Sequence, residues 1–415
     1  MKVILSINVG SSSVKISAYS AEQNKEPSQL AEAQLSGITS PPVKLKYSCG
    51  EVQVFKDKEV CENVKDHDDA FKILLKTLIE DRDLPDISDR GDISVACHRV
   101  VHGGDYASSQ LINRETYHHI QALTDLAPLH NVSALKIVRT CIEELPGAMN
   151  VACFDSQFHS TIPPHIRTYP INADVAKKNQ LRKYGFHGIS YQFITSSVAR
   201  FLGKDPNMLN IIALHLGSGA SACAIRRGRS LDTSMGLTPL AGLPGATRSG
   251  SVDPSLVFHY ASDVGKLSPS STRELHISRA EEILNKQSGW KALTGTTNFA
   301  AIASCDKPEY QLAFDLFADR VCGYVGAYYV TLGGQVDALV FAGGVGEKSD
   351  KLRRRVVEQS SCLGFEIDDE LNAKKIDDIV QDVGKKGAKH RTLVCQTDEQ
   401  FQMAKECAEN DGLWS

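Results

Sequence analysis

The sequence predicts an α/β protein with two domains. Apolar, β-branched segments typical of buried strands alternate with segments of helical spacing along the chain. Its 415 residues exceed what one hydrophobic core usually accommodates. A segment near the N-terminus recurs near the middle, which indicates an internal duplication. We place a first domain at residues 1–155 and a second at residues 156–397, and expect a last helix in residues 398–415 to return to the first domain.

The composition argues against several classes of function. Hydrophobic residues make up 42% and charged residues 23%, the balance of a soluble globular protein. With a formal net charge of -4, there is no basic surplus for nucleic acid or for an anionic membrane surface. No apolar run reaches the roughly 18 residues of a membrane span. The 11 cysteines are scattered without a C-x-x-C pair, so we expect reduced thiols and a cytoplasmic protein.

The duplicated segment is a predicted hairpin. Val3–Ile7 has the pattern of a buried strand, residues 8–13 a turn, and Val14–Tyr19 a second strand. Residues 211–218 align with residues 4–11 without a gap, and both read as strand, polar residue, glycine and serine. One copy in each half of the chain is therefore expected.

The remaining elements follow from periodicity and capping residues. Helices are predicted over Phe71–Glu80, Ser133–Leu145 and residues 309–332, and strands over Ile93–Cys97, Val151–Phe154 and Ala338–Ala342. We expect further helices to start at Asp253-Pro254, at Ser349 and at a capping box opened by Thr397.

Three turns rich in glycine or serine follow predicted strands, at residues 8–13, 215–219 and 343–347. Glycine lets the backbone approach an anion, and successive N–H groups can bind it. One such turn is usually only a turn, but three of them after strands favour phosphate binding. None matches the G-x-x-x-x-G-K-[ST] sequence, so a P-loop is not expected.

Several charged residues stand in contexts that indicate chemistry. Arg99 is flanked by apolar residues and should be partly buried beside an anion, although a solvated surface arginine is the simpler alternative. Arg248 lies in a loop dense in glycine and proline, residues 242–250, which is either shaped to hold it or a plain surface loop. Asp155 ends a strand and Glu399 begins a helix. Such isolated carboxylates suit Mg²⁺, although either could be an ordinary cap.

The chain resembles the acetate kinase family in segments that keep the family's order and span nearly its whole length. These segments are Ser6–Lys15, His98–Gly104, Ala127–Asn131, Phe154–His159, Tyr184–Gly188, Asp232–Pro239 and Thr247–Gly250. The resemblance implies a duplicated ribonuclease H-like ATPase fold of the actin and Hsp70 type, with a cleft between two domains. It also implies a homodimer and a Mg²⁺-dependent, reversible, direct in-line phosphoryl transfer between ATP and acetate, giving acetyl phosphate and ADP.

The resemblance also implies roles for individual residues. Catalysis falls to Arg99, Asp155, His187 and Arg248, with His130 in support, and Mg²⁺ to Asn8, Asp155 and Glu399. The residues implied to bind acetate are Arg99, Val101, Leu129, Phe186 and Pro239. ATP falls to Ser11, Ser13, Lys15, His215, Gly217, Ser218, Gly219, Asn298, Phe299, Gly343, Gly344, Val345, Gly346 and Glu347. Taken alone, a histidine beside a large apolar residue, such as His130 or His187, is more often structural.

The sequence departs from the family mainly where the donor is expected to bind. Ser218 replaces a usual Asn, residues 244–246 replace a segment with Met and Gly, and Asn298-Phe299-Ala300 replaces Asp-Phe-Arg. Tyr191 stands where His is common, and Ser156-Gln157 replaces Thr-Ala. These changes leave the donor open between ATP, another nucleotide and pyrophosphate.

Two further alternatives concern the acceptor and the class of protein. One methylene in an apolar pocket is worth about 1–3 kcal/mol, so propionate or butyrate could replace acetate. A non-catalytic nucleotide-binding protein could have the same fold. Arg99 together with Arg248 argues against that class, because a binding module needs no pair of arginines for a carboxylate.

Overall fold

The computed structural model describes residues 1–10, 12–39, 41–60, 64–125, 128–260, 266–269, 271 and 277–414, with only the backbone described at residues 125, 128–130 and 260. The chain forms two compact units. Unit 1 is Met1–Gln157 together with Asp398–Ser415, and unit 2 is Phe158–Thr397.

In its described part, unit 1 contains an eight-stranded sheet of order β5-β4-β3-β2-β1-β6-β8-β7. The strands are β1 Lys2–Val9, β2 Ser13–Ala21, β3 Ser28–Ser36, β4 Lys44–Cys49, β5 Val52–Glu59, β6 Ile93–Val100, β7 Gln110–Leu111 and β8 Met149–Phe154. Strands β1 and β2 form an antiparallel hairpin, while β1, β6 and β8 run parallel. The carboxyl ends of these three parallel strands therefore lie at one edge of the sheet.

Helices α1 His67–Ile79, α2 Arg114–Ala122 and α3 Pro128–Glu144 complete the N-terminal part of unit 1. Helix α1 begins at Asp66, whose side chain accepts hydrogen bonds from the amides of the first turn. Its apolar face, including Phe71 and Leu74, is buried with β1 and β2 residues in one core. Burial of this face favours the helix where propensity alone would not.

In its described part, unit 2 contains a six-stranded sheet of order β11-β10-β9-β12-β14-β13. The strands are β9 Ile211–Leu216, β10 Ala220–Arg226, β11 Arg229–Thr233, β12 Ala338–Ala342, β13 Val380–Asp382 and β14 Arg391–Cys395. The helices are α4 Pro164–Arg167, α5 Ala173–Lys178, α6 Gly188–Leu202, α7 Leu256–Tyr260, α8 Arg279–Lys286, α9 Gly289–Thr294, α10 Phe299–Ser304, α11 Pro308–Thr331, α12 Gly343–Lys348, α13 Asp350–Gln359 and α14 Asp369–Ala373. Residues of the sheet and of α11 share one core.

The last helix, α15 Glu399–Ala408, packs against β1, β2 and β6 of unit 1. The Gln400 side chain donates to the Ser6 carbonyl, and the Ser6 hydroxyl donates to the Gln400 carbonyl. This reciprocal pair joins residues 394 apart in the sequence and fixes the start of α15 beside β1.

The two sheets share one topology. The order β3-β2-β1-β6-β8 in unit 1 corresponds to β11-β10-β9-β12-β14 in unit 2. In both series the first two pairings are antiparallel and the last two are parallel. The predicted internal duplication is confirmed at the level of topology, well beyond the eight aligned residues that indicated it.

Two predicted turns start later than expected, because polar residues continue the strands. Asn8 pairs with Lys15 within the first hairpin, so the turn before β2 is shorter than residues 8–13. His215 and Leu216 belong to β9, where His215 is in register with Ser221 of β10, so the turn is also shorter than residues 215–219. Strand β6 likewise runs past the predicted end at Cys97, and its Arg99 is in register with Cys153 of β8. Ladder hydrogen bonds at a strand end do not depend on side-chain polarity.

The predicted turn at residues 343–347 is instead the short helix α12. Gly343 has φ 74°, and a Cβ there would lie 2.7 Å from the Leu216 carbonyl oxygen. The Glu347 carboxylate accepts a hydrogen bond from the Gly343 amide at 3.0 Å. Glycine here permits a left-handed residue in close contact with β9, and the helix follows directly.

Two predicted helix starts are wrong in detail. Helix α7 begins at Leu256, because the Asp253 side chain accepts from the Ser255 amide in a preceding turn. The last helix is capped by Asp398, whose carboxylate accepts from the amides of Gln400 and Phe401 at 3.1 and 2.9 Å. Thr397 therefore opens no capping box, and the Gln400 side chain is bound to Ser6 instead.

Across the described ranges, no helix is long and apolar enough to cross a membrane. The ten cysteines that the structure describes are free thiols.

Candidate active site

Unit 1 brings four polar side chains together at the carboxyl ends of its parallel strands. Asn8 lies near the end of β1, Arg99 near the end of β6, Asp155 directly after β8, and Glu399 in the first turn of α15. In open α/β sheets this edge is where ligands usually bind. The topology therefore explains why residues far apart in the sequence share one place.

Arg99 is the centre of this acidic cluster of Asn8, Arg99, Asp155 and Glu399. Its Nη2 lies 2.7 Å from Asp155 Oδ2 and its Nη1 3.1 Å from Glu399 Oε2. Its Nε donates to Asp155 Oδ1 at 3.1 Å, which makes the pair bidentate. Asn8 Nδ2 donates to Glu399 Oε2 at 3.1 Å. The predicted anionic partner of a partly buried Arg99 is thus present within the chain.

The charges of this cluster are held in a largely desolvated place. The side chain of Asp155 is 1% exposed, that of Glu399 12% and that of Arg99 20%. Burial by itself lowers the pKa of Arg99, but the carboxylates of Asp155 and Glu399 outweigh it and raise the pKa above its ordinary value. Arg99 is therefore a permanent cation here, and each carboxylate has oxygen lone pairs left for another ligand.

The oxygen atoms of this cluster fit a hard divalent cation. Asp155 and Glu399 offer carboxylates and Asn8 an amide oxygen, the donors that Mg²⁺ prefers. In the ranges that the structure describes, no three His, Cys, Asp or Glu side chains converge in a way that could hold a metal by themselves. Mg²⁺ usually keeps several waters and phosphate oxygens, so two carboxylates are enough for it.

The loop after β6 is tied to the start of α3. The His102 amide donates to Asn131 Oδ1 at 3.1 Å, and Asn131 Nδ2 donates to the His102 carbonyl at 3.0 Å. Val101 precedes this tie and is half-buried. The positioning role of Asn131 was not predicted, although Asn131 ends the family-like segment Ala127–Asn131. The side chains of Leu129 and His130 lie outside the described residues.

The first predicted phosphate turn lies between β1 and β2. Ser11 lies outside the described residues, and the Gly10 amide donates to the Ser13 carbonyl at 2.8 Å. The Lys15 ammonium group already has an anionic partner within unit 1, because its Nζ lies 2.8 Å from Glu32 Oε2 of β3. The pair is 32% and 22% exposed, so it contributes little stability and can exchange partners.

Unit 2 holds a second cluster, formed by His187, His215, Gly219 and Arg248. A Cβ on Gly219 would lie 2.8 Å from Arg248 Nη1 and 3.7 Å from His187 Nε2. The two donor groups thus converge over a position that only glycine leaves open. The His187 and His215 rings stack with centroids 4.1 Å apart. This arrangement of N–H donors around glycine suits an anion.

The loop that carries Arg248 is fixed by its own backbone. The Gly245 amide donates to the Arg248 carbonyl at 3.0 Å, and the Ala246 amide to the Ser218 carbonyl at 2.8 Å. Gly250 has φ 71°, and a Cβ on this residue would lie 2.7 Å from the Gly242 carbonyl oxygen. The shaped loop that glycine and proline density indicated is present, and it joins Arg248 to the β9–β10 turn.

A hydrogen-bond chain fixes His215 and the start of α12. Its Nδ1 lies 2.8 Å from Ser190 Oγ, which lies 2.8 Å from Thr397 Oγ1. The Thr397 amide donates to Glu347 Oε1 at 3.2 Å. Burial raises the pKa of Glu347, and the two amides that it accepts from lower it in part. Nothing in the spacing of these residues could have indicated this chain.

A cavity of about 480 Å³ lies beside the glycine turns of unit 2. Six of the predicted nucleotide-binding residues line it, and these are Gly217, Ser218, Asn298, Phe299, Gly344 and Val345. Trp290 and Phe299 give it aromatic surface, with ring centroids 5.3 Å apart. Asn298 Oδ1 caps α10 through the amides of Ala300 and Ala301, so only its amide N–H groups remain for a ligand. The volume is in the usual range for a small-molecule site.

Comparison with known proteins identifies the family of this chain. The model of the acetokinase family matches residues 3–405. The chain belongs to the acetokinase family. Among its relatives, the probable acetate kinase of Neurospora crassa is 60% identical over 100% of this chain and 95% of its own length, and that of Chaetomium globosum is 59% identical over 99% of each.

Solved structures of family members agree with the fold. A propionate kinase from Francisella tularensis matches with TM-score 0.83 and 33% identity over 98% of this chain and 99% of its own. The acetate kinase of Porphyromonas gingivalis matches with TM-score 0.80 and 31% identity over 98% of each. The predicted α/β fold with two duplicated halves is confirmed.

The remaining predicted acceptor residues in this acetokinase are buried in unit 2. Phe186 is 1% exposed, and its carbonyl accepts from His159 Nε2 at 3.0 Å. Pro239 is also buried. Burial lowers the pKa of His159 to about 4, so that its ring is neutral and holds the Phe186 backbone in place.

Two departures from the family pattern have visible partners in this structure. Gln157, in place of a usual Ala, accepts from the Phe154 amide at 3.0 Å and donates to Glu406 Oε2 at 2.7 Å. Tyr191, in place of a common His, lies with its hydroxyl 2.5 Å from Ser221 Oγ. Each departure is thus joined by a hydrogen bond to another side chain of the same unit.

Proposed function

We propose that this acetokinase transfers the γ-phosphoryl group of ATP reversibly and directly to acetate, giving acetyl phosphate and ADP. The observation that carries this proposal is the presence of both charged clusters in a chain 60% identical to a relative named acetate kinase. The enzyme reading is preferred over a binding protein, because simple nucleotide binding does not require Arg99 and Arg248 together.

The reaction depends on stabilising negative charge more than on proton transfer. Acetate is already ionised at neutral pH, with a pKa of roughly 4–5, so it needs no general base. An anionic acceptor must meet an anionic donor, and catalysis of phosphoryl transfer is largely positioning and cationic stabilisation. We assign Arg99 to the acetate carboxylate, and Arg248 with His187 to the transferring group. His130 has a supporting role in this proposal.

We assign Mg²⁺ to Asn8, Asp155 and Glu399. When bound, the ion neutralises phosphate charge and orients the polyphosphate. The chain's own contribution is Arg99, which holds the carboxylates of Asp155 and Glu399 by hydrogen bonds and so keeps both in one orientation.

We assign the acetate methyl group to Val101, Leu129, Phe186 and Pro239. A longer acid is the second candidate, since one methylene changes binding in an apolar pocket by only about 1–3 kcal/mol. A family member whose solved structure matches this chain with TM-score 0.83 is a propionate kinase. Propionate and acetate should therefore be compared in the same assay.

We assign the adenosine of ATP to the cavity of about 480 Å³ lined by Phe299 and Val345. We assign the phosphates to Ser11, to Ser13 and Lys15 at the start of β2, and to residues 217–219. His215, Gly343, Gly346 and Glu347 shape the site. Asn298 offers fewer polar contacts than the usual Asp-Phe-Arg segment would. Pyrophosphate and other nucleotides therefore stay alternative donors.

The domains, assembly and location belong to the same proposal. We take the two compact units to be the two domains, with the second starting near residue 156. We further infer a cytoplasmic homodimer that acts on small molecules. Sedimentation of the purified chain would report its oligomeric state directly.

The test is acetyl phosphate formation with Mg²⁺, acetate or propionate, and ATP, GTP or pyrophosphate in parallel. We expect ATP and acetate to be preferred, and Arg248→Ala to lower kcat by about 10²-fold or more, the scale of a lost preorganised donor. Arg229→Ala removes an exposed arginine of β11 and serves as the matched control. Activity only with pyrophosphate would replace the donor, and folded protein without any transfer would favour a binding protein.

A further inference from the structure

A chain of three side chains ends at His187 inside unit 2. The Tyr191 hydroxyl lies 2.5 Å from Ser221 Oγ, and Ser221 Oγ lies 2.9 Å from His187 Nδ1. His187 directly precedes α6 as its N-cap, Tyr191 lies one turn into that helix, and Ser221 belongs to β10. The chain therefore joins the helix to the sheet at the ring that faces Arg248.

These three groups are removed from water. Tyr191 and Ser221 are 0% exposed and His187 is 8% exposed. The Tyr191 ring is packed between Phe158 and His159, with centroids 6.4 and 5.7 Å away. Burial raises the pKa of Tyr191 well above its ordinary value, so the phenol keeps its proton.

The direction of the hydrogen bonds follows from the donors that must be satisfied. A buried phenol O–H needs an acceptor, and Ser221 Oγ is the acceptor at hand, because the His215 backbone amide, which also faces the Tyr191 hydroxyl, can only donate. Ser221 then accepts from Tyr191, and its own proton is left for His187 Nδ1. If Nδ1 carried a proton instead, the Ser221 O–H would be buried without an acceptor in the described structure.

An accepting Nδ1 places the imidazole proton on Nε2. That nitrogen is the one that converges with Arg248 Nη1 over Gly219. The ring plane is fixed independently by stacking on His215, which is itself bound to Ser190. The neutral ring also avoids placing a second cation beside the Arg248 guanidinium.

We propose that Tyr191 and Ser221 are positioning residues that hold His187 as the neutral tautomer with its proton on Nε2, aimed as a hydrogen-bond donor. The inference rests on the proposed function for the catalytic use of that donor. The tautomer itself is independent of the proposed function, because the hydrogen bonds within the chain determine it. Tyr191, which stands where the family commonly has His, is thus the first donor in this chain of hydrogen bonds from Tyr191 through Ser221 to His187, here called the relay.

The tautomer can be measured without any assay of activity. ¹⁵N-histidine NMR of the whole protein, with the His187 signals assigned by their loss in His187→Gln, distinguishes a protonated from an unprotonated ring nitrogen. We expect Nε2 protonated and Nδ1 unprotonated in the native chain, and a mixture of tautomers in Tyr191→Phe. A proton on Nδ1 of the native chain would overturn the proposal, even if the enzyme is an active kinase.

Kinetics supply the second readout. Loss of one hydrogen bond in the relay should lower kcat of Tyr191→Phe by about 10-fold with KM for acetate and ATP within about twofold. Ser221→Ala should lose at least as much, and the double variant no more than Ser221→Ala, because both act through one ring. Additive losses, or an unchanged kcat in Tyr191→Phe, would contradict the relay.

Tyr328→Phe is the matched control. Tyr328 is also a buried tyrosine of unit 2, at 2% exposure, and its hydroxyl has no hydrogen-bond partner in the described structure. Removing that hydroxyl should leave kcat and the His187 signals unchanged. An equal loss in Tyr328→Phe would show that any buried hydroxyl matters equally and would overturn the specific role of Tyr191.

Discussion

The two units have one topology but opposite chemistry at the corresponding strand ends. In unit 1, the ends of β1, β6 and β8 carry ionised or strongly polar side chains, and Arg99 there is paired with two carboxylates. In unit 2, the turn after β9 and the start of α12 after β12 carry glycine, and His187, His215 and Arg248 lie at the turn after β9. Each unit keeps the topology with an apolar core of its own, while the strand ends are free to diverge.

The difference matches the two tasks of phosphoryl transfer. Carboxylate and amide oxygens suit a metal ion, and an arginine among them suits a carboxylate substrate. Glycine turns with N–H donors suit phosphate oxygens. Duplication followed by divergence of strand ends is therefore a physical route from one repeated motif to two chemically different clusters.

The largest effect should come from the acidic cluster of unit 1. Asp155→Asn removes the carboxylate that is bidentate to Arg99 and 1% exposed. We expect kcat to fall by about 10²-fold or more, the scale of a lost electrostatic contact, and the Mg²⁺ concentration for half-maximal rate to rise. Titration of the rate with Mg²⁺ measures both.

Asp319→Asn provides the control for that prediction, because Asp319 is 61% exposed on α11 and pairs only with its neighbour Arg320 in the described structure. It should leave kcat and the Mg²⁺ dependence unchanged. Native Mg²⁺ dependence in Asp155→Asn would remove Asp155 from the proposed metal site.

The glycine of unit 2 should give the next effect. In Gly219→Ala the new Cβ would lie 2.8 Å from Arg248 Nη1, so the guanidinium must move. We expect a loss of kcat of about 10-fold or more, since a preorganised donor is displaced from where charge develops. Steady-state kinetics at saturating acetate and ATP measure it.

Gly326→Ala is the matched control for this change. Gly326 lies within α11, and a Cβ there would meet nothing within 4 Å. Alanine in a helix interior should raise the free energy of unfolding by about 0.5–1 kcal/mol and leave kcat unchanged. If Gly219→Ala were fully active, the convergence of donors over Gly219 would not be part of catalysis.

The smallest expected effect concerns stability rather than rate. Burial raises the pKa of Glu406 from its ordinary 4.5 to about 7, while hydrogen bonds from Gln157 and Gln402 lower it in part. The folded chain therefore holds a proton that the unfolded chain releases between about pH 4.5 and 7. The contribution of Glu406 is fully present below pH 4.5 and is lost as pH rises through about 7.

Glu406→Gln should remove this dependence. Relative to the native chain, the free energy of unfolding of the variant should rise with pH over that window, by on the order of 3 kcal/mol at most, at 1.36 kcal/mol per pKa unit. Urea unfolding at several pH values measures the difference. Glu358→Gln, at an exposed site of α13, should show no such trend. A constant difference across pH would contradict the buried, protonated Glu406.

Periodicity in the sequence was sufficient for the cores of both sheets. The strands over Val3–Ile7 and Ala338–Ala342 are predicted because their buried residues are apolar, apart from Ser6, whose hydroxyl donates to the Gln400 carbonyl. The long helix over residues 309–332 is predicted for the same reason. Burial makes these segments unambiguous, since no other structure hides so much apolar surface.

Local signals failed where one residue type has two uses. Glycine at Gly343 indicated a turn, but here it permits close contact with β9 at the start of α12. Polar Asn8 indicated a turn, and the strand predicted over Ile93–Cys97 stopped short of Arg99. Both residues continue strands, because ladder hydrogen bonds do not depend on side-chain polarity. Turn and strand ends therefore depend on tertiary contacts that are absent from the local pattern.

The sequence predicted which residues belong to the site better than it predicted the contacts between them. Arg99 was expected to need an anion, but its pairing with Glu399, 300 residues away, depends on the return of α15 to unit 1. The relay from Tyr191 through Ser221 to His187 was not predicted, because residue spacing does not show which hydroxyls meet. Such links become visible only when the fold is known.

Phosphoryl transfer to acetate is tested most sharply by comparing Arg99→Ala with Arg248→Ala while acetyl phosphate is followed by ³¹P NMR with ATP, Mg²⁺ and acetate. We expect acetyl phosphate and ADP in equal amounts from the native chain, and a loss of about 10²-fold or more in each variant. Release of ADP with inorganic phosphate instead, or unchanged acetyl phosphate formation in either variant, would contradict it.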